Sequence, residues 1–327
     1  MALTTKRMAI ITVMLTVSFF AIFIFLPESV VGERGDNLLF FAPKIAFLSV
    51  TAAMVTVFIL VFIFRRKYIS SQIFALNRYK YLLRLMIKRD FVTKYRKSML
   101  GIIWSILNPL LMMLVMMFVF QYLFRFSVDN YPVYFLSGRL IFGFFEESTA
   151  MGINSIINNE AIIKKVYVPK YIFPVAQVTT SLVNVFFAFL AFMLVFIITG
   201  ADFYWTMLLI PIPIIYTFVF SLGIVMFLSS MVVFFRDMQY LWGVFSMMLF
   251  FMTPVMYPVE GTIPEAYMPI YGLNPMFHFV TYFRELALWH TVPDLWSNMV
   301  CIGYALASLC IGSYVFMKRQ DRFLLYL

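Results

Sequence analysis

The stretch Tyr171–Thr199 reads YIFPVAQVTTSLVNVFFAFLAFMLVFIIT and carries no charged residue. The hydrocarbon core of a bilayer is about 30 Å thick, so a helix needs about 20 consecutive apolar residues to cross it. Backbone N–H and C=O groups in lipid must find partners within their own segment, which favours a helix. The stretch therefore predicts a transmembrane helix.

Comparable apolar runs recur along the chain and give eight predicted spans in all. The other seven are Met8–Leu26, Ile45–Phe64, Gly101–Phe124, Pro132–Ile157, Trp205–Phe235, Leu241–Tyr257 and Trp296–Met317. Hydrophobic residues make up 63% of the 327 positions and charged residues 12%, against about 45–50% and about 25% in soluble domains. This composition excludes a soluble or disordered chain, and two cysteines exclude a disulfide scaffold. The predicted fold is an all-α polytopic membrane protein.

The first run follows Lys6 and Arg7, as the core of a signal peptide would. Its length, Met8–Leu26, exceeds the roughly 7–15 residues of a cleavable core, and Leu26-Pro27-Glu28-Ser29 is a poor cleavage site. We interpret it as an uncleaved span. With the second span it forms a predicted two-span hairpin over residues 1–70.

One apolar segment, residues 258–295, does not fit a full span because prolines and charges interrupt it. The prolines are Pro258, Pro264, Pro269, Pro275 and Pro293. Irregular backbone at membrane depth is tolerated where protein buries it. The segment therefore predicts short re-entrant helices on the outer side, before the last span.

The basic residues indicate the orientation of the chain in the membrane. With both termini in the cytoplasm, cytoplasmic segments hold 20 of the 25 lysines and arginines, and outer segments hold nine of the 15 acids. Cytoplasmic loops of membrane proteins carry just this excess of base. The net charge of +10 is thus mostly an orientation signal, and we expect no nucleic-acid partner.

A basic segment, residues 71–98, lies between the second and third spans. Its part Tyr79–Lys97 contains neither proline nor glycine, and a helical wheel groups five apolar side chains on one face. These are Tyr81, Leu82, Leu85, Met86 and Val92. The pattern predicts a helix in the membrane interface, in contact with lipid; the alternative is a solvated basic linker attracted to anionic lipid. The candidate interfacial residues are Arg84, Lys88, Arg89, Asp90, Lys94 and Tyr95.

Five short motifs carry a resemblance to a known family. They are IKRDFVTKYRKSMLGIIWSILNP at Ile87–Pro109, YPVYFLSG at Tyr131–Gly138, NEAIIKKVYVP at Asn159–Pro169, Phe235-Arg236-Asp237, and Asn274-Pro275 with Phe283-Arg284. In this order they resemble the membrane subunit of ATP-binding-cassette (ABC) exporters of the polysaccharide, O-antigen and teichoic-acid group. The resemblance covers roughly residues 80–327. The first 70 residues lie outside it, and residues 139–143 (RLIFG) depart from the apolar residues and tryptophan common there.

The resemblance implies a six-span permease core over residues 99–327, acting as a homodimer with two copies of a separate ATPase subunit. The substrate would be a lipid-linked polysaccharide or teichoic-acid-like polymer, moved across the cytoplasmic membrane of a prokaryote. The chain lacks the G-x-x-x-x-G-K-[ST] motif that cradles phosphates. ATP and Mg²⁺ would therefore bind the partner subunit, and we expect no cofactor, metal or catalytic site in this chain.

Two alternatives stay open at this point. One is export of a drug, lipid or haem by the same architecture. The other is a membrane-embedded glycosyl or acyl transferase, which would need clustered acids or histidines at a membrane face. The candidates there are Glu260, Glu265, His290 and Asp294.

The loop after the second core span resembles the family's contact with its ATPase. Asn159 could cap a short helix, apolar side chains could fill a groove, and lysines could meet acids. These residues are Asn158, Asn159, Glu160, Ile162, Ile163, Lys164, Lys165 and Val166. The alternative is an ordinary basic loop. A second contact candidate is Arg236 with Asp237, for which the alternative is a local ion pair.

Charged groups at membrane depth usually face protein or a wet cavity. Helical spacing places Arg139, Glu146, Glu147 and Asn154 on one side of the second core span. We expect this side to line the translocation path; the alternative is an Arg139–Glu146 pair that only packs spans together. Aromatic rings can stack on sugars, although filler and interface roles are commoner. The stacking candidates are Phe250, Phe251, Tyr257, Tyr271 and Phe279.

Overall fold

The computed structural model describes residues 78–96, 99–125, 128–259, 262–264 and 268–327. The chain divides into two units, Met1–Ser71 and Gln72–Leu327, and all described residues belong to the second. The predicted hairpin over residues 1–70 lies outside the described residues, as do Glu260 and Glu265.

The described residues form helices and no strands, which confirms the all-α prediction for this part of the chain. The α-helices are α1 (Lys80–Tyr95), α2 (Trp104–Met116), α3 (Tyr131–Gly152), α4 (Glu160–Lys165), α5 (Ile172–Ile198), α6 (Pro211–Val232), α7 (Met238–Met252), α8 (Met268–Gly272), α9 (Pro275–Ala287), α10 (Leu295–Arg319) and α11 (Phe323–Tyr326). A π-helical segment, Met117–Leu123, continues α2. Short 3₁₀ segments are Gly101–Ile103, Ile157–Asn159, Trp205–Leu209 and Gln320–Arg322.

Four helical stretches among the described residues are long and apolar enough to cross a membrane. They are Gly101–Leu123, Ile172–Ile198, Trp205–Val232 and Leu295–Tyr326. The two other spans expected in the core correspond to α3, which carries three charged side chains, and α7, which has 15 residues. The full six-span arrangement therefore stays a prediction.

Helices α6 and α10 cross at very short range because glycines meet at the crossing. A Cβ added to Gly312 would lie 1.9 Å from the carbonyl oxygen of Gly223. The Ser308 Oγ donates a hydrogen bond of 2.6 Å to the Phe220 carbonyl at the same crossing. Small residues allow membrane helices to approach closely enough for such contacts.

Helix α3 lies at the centre of the core. It packs against α5, α6 and α9, and most of its first four turns is buried. Large aromatic side chains fill the surrounding space, among them Phe135, Phe142, Phe145, Phe192, Phe279 and Phe283. Part of the high aromatic content is thus protein core, while other described aromatic side chains, such as Phe118, Phe186 and Phe245, are exposed.

The segment of residues 258–295 contains two short helices, α8 and α9, in agreement with the breaks expected from its prolines. The Asn274 side chain caps α9 by accepting a 2.9 Å hydrogen bond from the Met276 backbone N–H. Their depth in the membrane stays a prediction. Helix α9 lies against α3 and so places Arg284 in the core.

Candidate functional site

A cavity of about 660 Å³ lies between α2, α3 and α5, beside the last turn of α1. We call it the α2–α3–α5 cavity. Its polar lining consists of Lys94, Tyr95, Trp104, Ser105, Asn108, Arg139, Glu146, Glu147 and Asn184. Apolar side chains from the same helices, such as Met112, Leu140 and Phe144, complete the wall. The volume is typical of a site for a small ligand or for a segment of a larger one.

Arg139 and Glu146 form an ion pair on the wall that α3 contributes. The Arg139 Nη1 lies 2.7 Å from the Glu146 Oε2. Gly143 lies between them on the helix, and a Cβ there would contact the guanidinium at 3.7 Å. The guanidinium also lies over the Phe250 ring, 5.8 Å from its centre. The ion pair lies within α3 and lines the cavity, while the contact of Arg139 with Phe250 reaches α7. That these residues line the translocation path stays a prediction.

Glu147 is the point where three helices meet in the cavity. Its Oε1 lies 2.5 Å from the Nζ of Lys94 on α1 and accepts a 2.8 Å hydrogen bond from the Asn184 amide of α5. Burial favours the neutral amine of Lys94, but the hydrogen bond and charge of Glu147 favour the ammonium and raise its pKa overall. Lys94 therefore stays charged in the cavity at neutral pH.

The cavity presents paired charges and free hydrogen-bonding capacity together. Two cations face two acids, so the lining carries no net charge. The Asn184 Oδ1 is buried and has no hydrogen-bond partner, while the hydroxyls of Tyr95 and Ser105 bond to each other. A buried acceptor without a partner is costly, and the hydrogen bond that the Asn184 amide donates to Glu147 holds this side chain in place.

Of the residues expected on this side of α3, Asn154 does not line the cavity. It lies just past the end of α3, and its amide donates a 3.3 Å hydrogen bond to Gln239 at the start of α7. The helical spacing used for the prediction fails there because the helix ends at Gly152.

The five stacking candidates separate into different environments. Phe279 is 0% exposed and packs edge-on against Phe220, so the expectation that it stacks on a sugar is wrong for this structure. Phe250 packs against Phe142 in the core. The Tyr257 hydroxyl donates to the Phe251 carbonyl at 2.6 Å and lies 3.3 Å from that of Tyr271. Phe251 alone presents a largely exposed ring.

The short helix α4 forms where the sequence indicates it, but Asn159 does not cap it with its side chain. Its amide donates a 2.8 Å hydrogen bond back to the Ser155 carbonyl. Its Oδ1 accepts from both Nη atoms of Arg89 at 3.3 Å. Asn159 therefore connects the start of α4 to α1. Asn158 beside it is exposed.

The surface that α4 offers to a partner differs from the expected one. Ile163 is 8% exposed and Ile162 is half-buried, because both pack into the chain's own core. Val166 is 55% exposed and Tyr167 is 96% exposed. Lys164 pairs with Glu160 one turn earlier, at 2.5 Å, and Lys165 is exposed.

Helix α1 packs along α5, which divides the apolar face expected from the helical wheel. Met86 is buried and Leu82 half-buried against the protein, whereas Tyr81, Leu85 and Val92 are exposed. The wheel could not separate these groups because contact with α5, not helix geometry, decides which side is covered. The basic side chains Arg84 and Lys88 are exposed.

Arg236 and Asp237 lie exposed in the short connection between α6 and α7. No ion pair joins these two side chains, although both are described. The Asp237 carbonyl instead accepts from the Tyr240 and Leu241 backbone N–H groups at the start of α7. The alternative of a local ion pair is therefore wrong, and both side chains remain available to a partner.

The transferase alternative finds little support among the described residues. The Asp294 side chain caps α10 by accepting a 2.8 Å hydrogen bond from the Leu295 backbone N–H. The His290 ring stacks on Tyr204, with centres 3.7 Å apart. Both side chains thus have structural contacts.

Sequence reasoning missed two polar side chains that hold the site together. Asn184 contacts Glu147 in the cavity, and Gln177 donates a 2.8 Å hydrogen bond to Asp90 on α1. Both interrupt the apolar stretch Tyr171–Thr199. Polar residues inside membrane helices usually have a partner in the bundle, so their presence there was an available signal.

Comparisons with known proteins identify the family of the chain. The family model described as "ABC-2 type transporter" matches residues 81–288. The O-antigen export system permease protein RfbA of Myxococcus xanthus is 28% identical over 249 residues, covering 76% of this chain and 96% of the relative. Two proteins of the same description from Klebsiella pneumoniae are 27% and 28% identical over 247 residues, covering 74% of this chain and 93% of each relative.

The matched residues contain the whole lining of the α2–α3–α5 cavity, the α4 segment and Arg284. The chain therefore belongs to the ABC-2 type transporter family and is a membrane permease that works with an ABC ATPase subunit.

Proposed function

We propose that the chain exports a lipid-linked polysaccharide across the cytoplasmic membrane of a prokaryote, driven by ATP hydrolysis in its partner. The observation that carries the substrate class is the match to permeases of O-antigen export over 93–96% of their length. Teichoic-acid-like polymers belong to the same class of substrate: long glycans or polyols attached to a lipid.

The chemistry of the α2–α3–α5 cavity suits a hydroxyl-rich segment of such a substrate. Each sugar hydroxyl both donates and accepts, and the cavity offers carboxylate and amide oxygens beside cationic donors. Because the lining is electrically neutral, it exchanges hydrogen bonds with a sugar without attracting free anions. We propose that Arg139, Glu146 and Glu147 line part of the translocation path and that the exposed Phe251 ring contributes stacking.

The cytoplasmic surface supports a role for α4 in contact with the ATPase. Val166 and Tyr167 present exposed apolar surface next to Lys165, a combination that suits an apolar groove rimmed by acids. Arg236 and Asp237 form a second contact. ATP and Mg²⁺ would bind the partner, not this chain.

We further propose a homodimer with two ATPase subunits and with both termini in the cytoplasm. One chain contains a single α4 segment and a single half of a pathway. The stretch Gly101–Leu123 is mostly exposed, as is one face of α7 that includes Val244 and Met248. These surfaces suit contact with lipid and with a second copy of the chain.

The test is transport by proteoliposomes that contain the purified chain, with and without its ATPase partner, supplied with a radiolabelled lipid-linked glycan. We expect ATP-dependent movement of the glycan only when both subunits are present. Movement at the same rate without the ATPase would contradict the proposal.

A second experiment tests whether the α2–α3–α5 cavity is part of the translocation path. Replacement of Glu147 by Leu removes the partner of Lys94 and Asn184, so we expect glycan transport to fall at least tenfold while assembly with the ATPase is retained. Replacement of the exposed Arg322 by Ala is the control and should change transport less than twofold. Equal transport by the two variants would remove the cavity from the path.

A further inference from the structure

The connection between α3 and α4 is a chain of short turns rather than a continuous helix. Residues 153–159, which we call the α3–α4 joint, are held by local backbone hydrogen bonds. The Ser155 N–H donates to Gly152 at 3.0 Å and the Asn159 N–H donates to Ile156 at 3.2 Å. Short 3₁₀ stretches of this kind within helical structure often mark a hinge. A push on α4 alone could therefore be lost in the joint.

Helix α1 contacts Asn159, the last residue of this joint, and Glu147 of α3 before it. Its Arg89 donates two hydrogen bonds of 3.3 Å to Asn159 at the α4 side. Its Lys94 lies 2.5 Å from Glu147 at the α3 side, inside the cavity. Arg89 and Lys94 are five residues apart, which corresponds to about 7.5 Å along the helix axis. One short, rigid part of α1 therefore connects Asn159 to Glu147.

Contacts with α4 and α5 support α1 along its length, so a push on one of its ends moves the helix as a whole rather than bending it. Met86 belongs to the same buried cluster as Ile163 of α4. Asp90 accepts a 2.8 Å hydrogen bond from Gln177 of α5, and it also pairs with Arg89 at 2.8 Å. The aromatic ring of Phe91 stacks on that of Phe187 with centres 5.8 Å apart.

We propose that α1 is a splint, that is, a rigid helix that connects α3 to α4 across the α3–α4 joint. In this proposal Arg89 is the positioning residue through which displacement of α4 reaches the charged cavity. The inference rests on the proposed contact between α4 and the ATPase. The two α1 residues that make these contacts, Arg89 and Lys94, are partly exposed. They can therefore release and re-form during a transport cycle, unlike a buried ion pair.

The test compares transport with ATP hydrolysis in the assembled complex, in the same proteoliposomes. Replacement of Arg89 by Ala should leave assembly and ATP hydrolysis within twofold of wild type and lower glycan moved per ATP at least fivefold. Replacement of Arg89 by Lys keeps a cationic donor for the Asn159 Oδ1 and should bring the glycan moved per ATP to within twofold of wild type. Replacement of Lys80 by Ala, which removes one charge from the same helix, is the control and should leave the ratio unchanged.

Three results would overturn the splint. An Arg89→Ala complex with an unchanged ratio would show that the link transmits nothing. Loss of assembly together with a lower melting temperature would make Arg89 a purely structural residue. An Arg89→Lys complex that moves as little glycan per ATP as the Arg89→Ala complex would exclude a hydrogen-bond donor at position 89 as the route. If instead wild-type complex moves no glycan at all, the proposed function fails, and the result is distinct from all three.

Discussion

Arg284 is a charge that the fold surrounds completely, with 1% of its side chain exposed. Five hydrogen bonds of 2.7–3.3 Å reach the oxygens of Tyr134, Ser137, Pro254 and Val255, and the guanidinium lies 3.6 Å from the centre of the Tyr134 ring. The planar fork of arginine satisfies several acceptors at once. Arg284 therefore joins α3, α9 and the residues that follow α7 into one block.

We expect replacement of Arg284 by Met to destabilise the protein by about 3 kcal/mol or more, since it leaves buried carbonyl and hydroxyl oxygens without donors. Replacement by Lys should cost less than Met, because an ammonium keeps the charge but cannot reach every acceptor. Thermal unfolding of the purified protein measures both. Equal melting temperatures for the Met variant and wild type would contradict the role assigned to Arg284.

The sequence allowed the charges of the site to be predicted but not their connections. Three charges inside a predicted span indicated a polar environment, and Arg139, Glu146 and Glu147 do line one cavity. The partner of Glu147 is Lys94, which is 53 positions away in the chain. Local spacing carries no information about such a contact because it depends on how α1 packs against α5.

At the scale of elements, the prediction from sequence worked where a rule acts within one segment. Apolar runs gave the positions of α5, α6 and α10, and prolines marked the breaks around α8 and α9. The buried side of α1 and the shared packing of Ile163 were not predictable, because a second element decides which side chains are covered. The crossing of α6 and α10 was not predictable for the same reason, since it depends on how two helices pack.

We expect Gly312→Ala to destabilise the crossing strongly, by about 2 kcal/mol or more, because the new Cβ would lie 1.9 Å from the Gly223 carbonyl oxygen. Backbone must then separate, and close helix contact is lost. Gly243→Ala on α7 is the matched control, since nothing lies within 4 Å of a Cβ there. The control should be neutral or slightly stabilising because alanine favours a helix. Comparable losses in melting temperature for both variants would refute the importance of the crossing.

At the scale of the whole molecule, the proposed mechanism needs α4 and the splint in the cytoplasm, where ATP is hydrolysed. The positive-inside rule gives this orientation from the placement of 20 of 25 basic residues. It also assigns the connection after α5 to the outside. The exposed residues Tyr167 and Asp202 lie on these opposite sides of α5.

Labelling of single cysteines with a membrane-impermeant maleimide tests this orientation. In a background with Cys301 and Cys310 replaced by Ala, Asp202→Cys should react in intact spheroplasts, since the loop faces outward. Tyr167→Cys should react only after permeabilisation. The reverse pattern would place α4 outside, beyond the reach of a cytoplasmic ATPase. Arg89 and Lys94 would then connect the cavity to the wrong side of the membrane, so this one measurement constrains topology, coupling surface and splint together.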